Sequence, residues 1–339
     1  MKKSIIVVIA LICCVVAAAA AVIVLTGDEK SDPFAGLKES GVKINEGTKW
    51  ELNGKLTTRI DKPNDTVAII VHGSGPHDMD LTYGPNKMYQ DLAWGIAQNG
   101  VDTLRYDKRT LAHGAEMLSE YGAKITVEEE TIEDAIAAAE LMKSRGYSKI
   151  FLIGHSLGGM LAPVIVKESD GLFDGFVSLA GSPRTLPEIS FDQNIMLLGT
   201  TPESLAYLKL TLGPELAKLD QLDSWTESEL LSKTIMGYPA YYLKDMIHRD
   251  AKGAALSLDV PMLFLQGSAD FQVYADKDFA MWKEILAGKE GVEFKLYEGL
   301  NHLFMVSQGK DAGTTAEYLQ KGHVSQNVIQ DIAEFIKAS

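Results

Sequence analysis

Past residue 14, this 339-residue sequence contains no cysteine. Cys13 and Cys14 sit side by side in an apolar run, so the rest of the chain has no disulfide of its own and no thiol nucleophile. Basic residues are also scarce: 32 Lys and Arg stand against 46 Asp and Glu, a net charge of −14. An acidic surface of this kind repels polyphosphate, which sets nucleic acid aside as a partner. There is no glycine-rich dinucleotide fingerprint and no phosphate-binding lysine motif, so nothing calls for a cofactor. Collagenous, repetitive and disordered biases are missing too; 46% hydrophobic and 23% charged residues are the make-up of a globular chain.

Long apolar runs are limited to one. From Ile5 to Leu25 the chain carries only Ala, Val, Ile, Leu and Cys, with Lys2 and Lys3 ahead of it. About 20 apolar residues span a bilayer as a helix, and lysines on the short side hold the N-terminus in the cytoplasm. Residues 1–27 are therefore expected to be a membrane anchor, with the remainder outside the cytoplasm. A cleaved signal segment is the alternative, since Ala17–Ala21 offers cleavage sites, and the protein is then secreted. Lipid modification at Cys13 or Cys14 is disfavoured because Leu11 and Ile12 are not the small residues such processing needs. Without the two lysines, 30 basic residues face 46 acidic ones, a charge of −16.

Residues 28–41 read as a polar tether, and Asn53-Gly54, between Lys49–Leu52 and Lys55–Thr58, as a two-residue hairpin turn. From there strands and helices alternate. Val67–Val71 has the continuous apolar character of a strand buried on both faces, and Val101–Tyr106, Lys149–Ile153, Phe176–Ala180, Pro261–Gln266 and Val292–Tyr297 read as further strands. Helices are expected over Asn86–Gln98, from a Thr126/Glu129 capping box to Arg145, over Leu157–Glu168, Asp276–Ala287 and Val324–Lys337. The pattern implies an α/β fold with a mostly parallel sheet covered by helices on both faces, over residues 42–339. The interval 182–259 breaks the rhythm. Helical stretches at Thr201–Leu212 and Thr226–Met236, with Met236, Tyr238, Tyr241, Tyr242 and Met246, suggest a helical cap over the carboxyl edge of the sheet.

The chemistry concentrates in Gly154-His155-Ser156-Leu157-Gly158, which follows a strand and opens a helix. A nucleophile elbow turns so tightly there that side chains two residues to either side of the serine would clash, and glycine relieves this. A serine hydroxyl needs a base, and the base an orienting acid. In chain order these are Asp270, after the strand Pro261–Gln266, and His302, after Val292–Tyr297. Asp276 and Asp278 are rivals for the acid, and His248 and His323 for the base. Donors for a developing oxyanion are expected from Leu157 N–H and from the loop His72-Gly73-Ser74-Gly75-Pro76, with Ser74 N–H first and Gly73 second. His77-Asp78-Met79-Asp80 reads as a solvated loop rather than a metal site, and Tyr106-Asp107-Lys108-Arg109 as a buried charge network bracing the active-site loops. Pro163, inside the helix after the elbow, is expected to kink it or to remove a hydrogen bond.

With these motifs in place, residues 45–339 resemble the α/β-hydrolase superfamily. More narrowly, they resemble bacterial carboxylesterases of the dienelactone-hydrolase-like and prolyl-oligopeptidase-like group. The resemblance is carried by His72–Pro76, Arg105–Arg109, Gly154–Met160, Gln266–Asp270 and Gly299–Phe304. It implies a serine hydrolase cleaving small-molecule carboxylic esters of short acyl chains, with Ser156, Asp270 and His302 at the triad positions. Acyl transfer, thioester or peptide cleavage through the same triad, or a catalytically inactive surface binding module, stay open as alternatives.

Overall fold

A computed structural model describes residues 34–339, apart from the side chain of Met196. The expected anchor over residues 1–27 lies outside the described residues. Eight strands form the central sheet: β1 (Leu37–Ile44), β2 (Leu52–Arg59), β3 (Thr66–Val71), β4 (Asp102–Tyr106), β5 (Lys149–His155), β6 (Gly175–Leu179), β7 (Met262–Gly267) and β8 (Val292–Tyr297). Their order is β1-β2-β4-β3-β5-β6-β7-β8, antiparallel from β1 to β4 and parallel beyond. The α-helices of more than one turn are α1 (Met88–Gln98), α2 (Gly114–Tyr121), α3 (Glu133–Ser144), α4 (Leu157–Glu168), α5 (Leu186–Leu198), α6 (Pro202–Leu216), α7 (Glu227–Ser232), α8 (Ala240–His248), α9 (Ala251–Ser257), α10 (Ala280–Ile285) and α11 (Gln326–Ala338).

Both faces of the sheet are covered, which is why inner strands such as β3 and β7 show no polar alternation. Val67, Ile69 and Val71 of β3 face one core with α3, α4 and Trp282 of α10. Ala68 and Ile70 face the other, with α1 and α11. Residues between β6 and β7 build five helices; α5 to α8 share a small core around Leu208, Leu212, Leu230 and Leu243, while Ala254 and Ala255 of α9 join the main core.

Two local expectations are overturned at the N-terminal edge. Residues 37–41 are not tether but the first part of β1, and Asn53-Gly54 is not a turn. Both residues lie within β2, where Val42 pairs with Gly54 and Lys43 with Asn53. A Cβ on Gly54 would stand 2.9 Å from the Arg105 carbonyl oxygen and 3.1 Å from Val42 Cγ2, so this glycine serves close strand approach, not reversal. The tight two-residue turn is elsewhere. Helix α7 stops at Ser232, short of the expected Met236, and Thr234–Ile235 pairs with Tyr238–Pro239 around Met236 and Gly237, whose φ values are 50° and 87°. Two successive left-handed residues suit the twist of a hairpin.

Pro163 does not break α4. The Pro163 nitrogen cannot donate to Gly159, four residues back, and the Gly159 carbonyl instead accepts from Ser178 Oγ on β6 at 3.0 Å.

Candidate active site

The elbow after β5 has the geometry its residues require. Ser156 sits at φ 55°, ψ −114°, a sparsely populated conformation for a side-chain-bearing residue. Its N–H donates to the Leu179 carbonyl at 2.8 Å, which ties the turn to β6. A Cβ on Gly154 would lie 2.2 Å from the Gly158 oxygen, and one on Gly158 2.6 Å from the Val71 and His72 oxygens. Only glycine fits at either place.

The loops after β7 and β8 bring Asp270 and His302 together, with His302 Nδ1 2.7 Å from Asp270 Oδ2. The remaining capacity of the buried carboxylate is filled by Gln272 N–H at 2.8 Å, Val273 N–H at 3.0 Å and Gln266 Nε2 at 2.8 Å. Asn301 Oδ1 accepts from the Leu303 and Met305 N–H groups, which shapes the turn that presents His302. With Nδ1 committed to Asp270, the other ring nitrogen is left for Ser156, and both side chains line one small pocket. The rivals are occupied elsewhere. Asp278 binds Ser182 and Arg184, Asp276 is exposed, His248 pairs with Asp223, and His323 with Asp91.

The loop after β3 lies against the elbow. Gly73 N–H donates to Tyr89 Oη at 3.1 Å, so the second-choice donor is already engaged. No acceptor is found among the described residues for Ser74 N–H or Leu157 N–H, and both residues border the larger cavity beside Ser156. Tyr89, which no sequence motif marks, joins the two loops. Its hydroxyl donates to His155 Nδ1 (3.2 Å), and His155 Nε2–H donates to the His302 carbonyl (3.0 Å). A carbonyl only accepts, so this chain of bonds assigns the neutral His155 tautomer. Burial, helped by neighbouring His302, pushes the His155 ring well below its ordinary pKa, and burial takes His72 down to about 3.

The basic run after β4 is a brace. Arg105, fully buried, pairs with Asp80 at 2.9 Å and Glu39 at 2.6 Å, and Arg109 with Asp134 and Glu133. Asp80 is therefore buried in an ion pair rather than solvated, contrary to the reading of His77–Asp80 as a solvated loop; burying a charge demands such a partner. Lys108 reaches furthest: its ammonium donates to the Gly73 carbonyl at 2.7 Å and to Glu130 at 2.5 Å, while Tyr242 of α8 donates to the second Glu130 oxygen at 2.7 Å. Lys108, Glu130 and Tyr242 thus tie the Gly73 loop to a cap helix. Among the described residues, no group of His, Cys, Asp and Glu side chains has the arrangement of a metal site.

This frame meets known proteins at the sequence level. A family model described as serine aminopeptidase, S33, matches residues 62–308. The chain belongs to that family of α/β-hydrolases. Esterase EstD of Thermotoga maritima is 37% identical over 289 residues, 84% of this chain and 65% of the relative, so the chain spans about two thirds of that relative's length. The human monoglyceride lipase is 26% identical over 73% of this chain and 80% of its own. The S33-family fold is shared with Est1E from Butyrivibrio proteoclasticus, at TM-score 0.54 and 15% identity over 88% of this chain and 99% of that one. It is shared also with dienelactone hydrolase from Anabaena variabilis, at TM-score 0.50 and 16% identity over 89% and 98%. At such identities these two structures speak for the fold, as the motifs implied.

Proposed function

We propose that this protein is a carboxylesterase that works through an acyl-enzyme. The observation that carries this is the strained Ser156 at the mouth of a pocket it shares with His302, whose Nδ1 is held by Asp270. In this reading His302 Nε2 takes the Ser156 proton as Oγ attacks the ester carbonyl. Asp270 holds the imidazole and stabilises its charged form. The Leu157 and Ser74 N–H groups receive the oxyanion. The acyl group fits a cavity of about 210 Å³ beneath the cap. Ser156→Ala is expected to abolish turnover of p-nitrophenyl butyrate and labelling by a fluorophosphonate, with an unchanged circular dichroism spectrum. Retained turnover would remove Ser156 from the role.

A peptidase reading has one specific support, the family description. An aminopeptidase must hold a free ammonium group, and a buried cation needs an anion. Glu130 is the one acidic residue lining the cavity among the described residues, and Lys108 and Tyr242 already occupy both of its oxygens. That favours the neutral ester. Turnover of aminoacyl p-nitroanilides matching that of p-nitrophenyl esters would reverse the preference.

The apolar run from Ile5 to Leu25 supports a further proposal, that the enzyme is held at a membrane with its catalytic part outside the cytoplasm. Among the described residues no helix is long and apolar enough to cross a bilayer, so this proposal rests on that run alone. Activity in the membrane fraction of cells expressing the full chain, released by protease added to intact spheroplasts, is the expected result. Activity confined to the soluble cytosol would overturn it.

A further inference from the structure

Two separate cavities meet at Ser156. The larger, about 210 Å³, runs under the cap past Met160, Leu186, Ile189, Tyr238 and Tyr242. The smaller, about 80 Å³, opens on the other side, against His302, Leu303, His77, Tyr83 and Tyr318. Leu157 lines the first and His302 only the second.

We infer that these are the two halves of an ester site: the acyl group lodges under the cap, and a small alcohol leaves from the His302 side. The inference rests on the esterase reading above. In the first half-reaction the Ser156 Oγ–acyl carbon bond forms and the carbon–alkoxide bond breaks. The proton passes from Oγ to His302 Nε2 and from there to the departing alkoxide oxygen, which must lie within hydrogen-bond reach of the imidazole. The alcohol is thereby placed in the pocket that His302 lines. Water enters by the same side in the second half-reaction and gives its proton to Nε2, and the carboxylic acid is released with Ser156 reprotonated. The acyl group, whose oxygen points to the Leu157 and Ser74 donors, is left with the larger cavity: Leu157 borders that one alone, while Ser74 stands between the two.

The sizes then name the substrate class: esters whose bulk lies in the acyl half, butyryl to hexanoyl or a compact aromatic acid, joined to a small alcohol such as methanol or ethanol. Ile189 and Leu186 on α5 are the residues that limit the acyl side, and Tyr83 limits the alcohol side. Leu186 and Ile189 are apolar, so discrimination on the acyl side works by fit, and one methylene misplaced there changes kcat/KM about 10- to 200-fold at most.

The test is a two-axis panel on the full chain. One series varies the acyl group of ethyl esters from acetyl to octanoyl; the other varies the alcohol of butyrate esters from methyl to cyclohexyl. Wild type is expected to favour butyryl or hexanoyl over acetyl at least tenfold, and methyl or ethyl over cyclohexyl by a similar factor. Ile189→Trp, or Leu186→Phe should the first not fold, is expected to cut the hexanoyl-to-acetyl ratio tenfold with the alcohol ratio unmoved. Tyr83→Ala is expected to raise the cyclohexyl-to-ethyl ratio with the acyl ratio unmoved. Variants that move the opposite ratios, or neither, overturn the assignment while fluorophosphonate labelling of Ser156 keeps the esterase reading alive. Absence of both labelling and ester turnover overturns the two together.

Discussion

His155 precedes Ser156 in sequence and lies tilted against His302, with ring centroids 4.8 Å apart, yet burial keeps it neutral and its two nitrogens are spent on Tyr89 and the His302 carbonyl. It positions; it does not shuttle protons. Asp102, at the start of β4, shows the opposite consequence of burial. Its carboxyl accepts from Tyr147 Oη at 2.7 Å, but desolvation outweighs that bond and raises its pKa from 3.8 to about 6. Well below pH 3.8 both folded and unfolded chains hold the proton and Asp102 costs nothing. As pH rises through the unfolded value toward about 6, the unfolded state ionises first, so stability falls and then levels off. Asp102→Asn, which keeps an acceptor for Tyr147, is therefore expected to stabilise the protein by about 1–3 kcal/mol at pH 7.5 and by almost nothing at pH 3.5. Urea titrations at the two pH values read this directly; an equal effect at both would reject the assignment.

At the level of elements, α4 carries the clearest compensation. Pro163 removes one helical hydrogen bond, and Ser178 Oγ on the neighbouring strand supplies the orphaned Gly159 carbonyl. Ser178→Ala leaves that buried acceptor unpaired and is expected to cost about 1–3 kcal/mol. In a Pro163→Ala background the helix donor is restored, so the same change is expected to cost clearly less. A thermodynamic cycle over the four proteins checks this, and additive effects would sink it. Strands β3 to β8 and helices α1, α4 and α11 were legible to within two residues because their apolar runs and flanking residues are local signals, whereas α2, α5, α8 and α9 were not. Only half of the Thr126–Glu129 box forms: Glu129 Oε2 accepts from Thr126 N–H and Oγ1, but Thr126 Oγ1 accepts from Glu128 N–H rather than Glu129 N–H, and a wider turn at Glu128–Ile132 precedes α3. Asn53-Gly54 misled because a glycine that permits a turn equally permits close packing between strands. Only the Arg105 backbone and Val42, from other strands, decide which use is made of it.

For the molecule as a whole, ionic clusters help decide how the cap meets the sheet, and two of them reach the site. Arg184 binds Asp278 at 2.8 Å and Asp192 of α5 at 2.7 Å, clamping the cap's first helix to the loop before α10. Lys108 and Glu130, with Tyr242, join the Gly73 loop to α8. Removing one partner of such a pair strands a buried charge. Lys108→Met is expected to destabilise the fold by about 3–5 kcal/mol and to lower kcat more than it raises KM, because it frees the loop that carries the Ser74 donor. Adding Glu130→Gln is expected to recover much of the stability and little of the kcat. Recovery of both would reduce Lys108 to a structural role.

What the sequence alone determined is the succession of buried strands and helices and the identity of Ser156, since an elbow is a local object: strand, glycine, serine, glycine, helix. Asp270 and His302 were legible from chain order and their place at strand ends, but their 2.7 Å approach exists only because β7 and β8 lie side by side. Tyr89, Glu130 and Tyr242 were not legible. Each acts through a partner 16 to 112 positions away, and no local pattern encodes a contact that the packed sheet and cap create. The division of the site into a large and a small pocket belongs to the same class, because cavity shape is set by where the cap settles over the sheet edge.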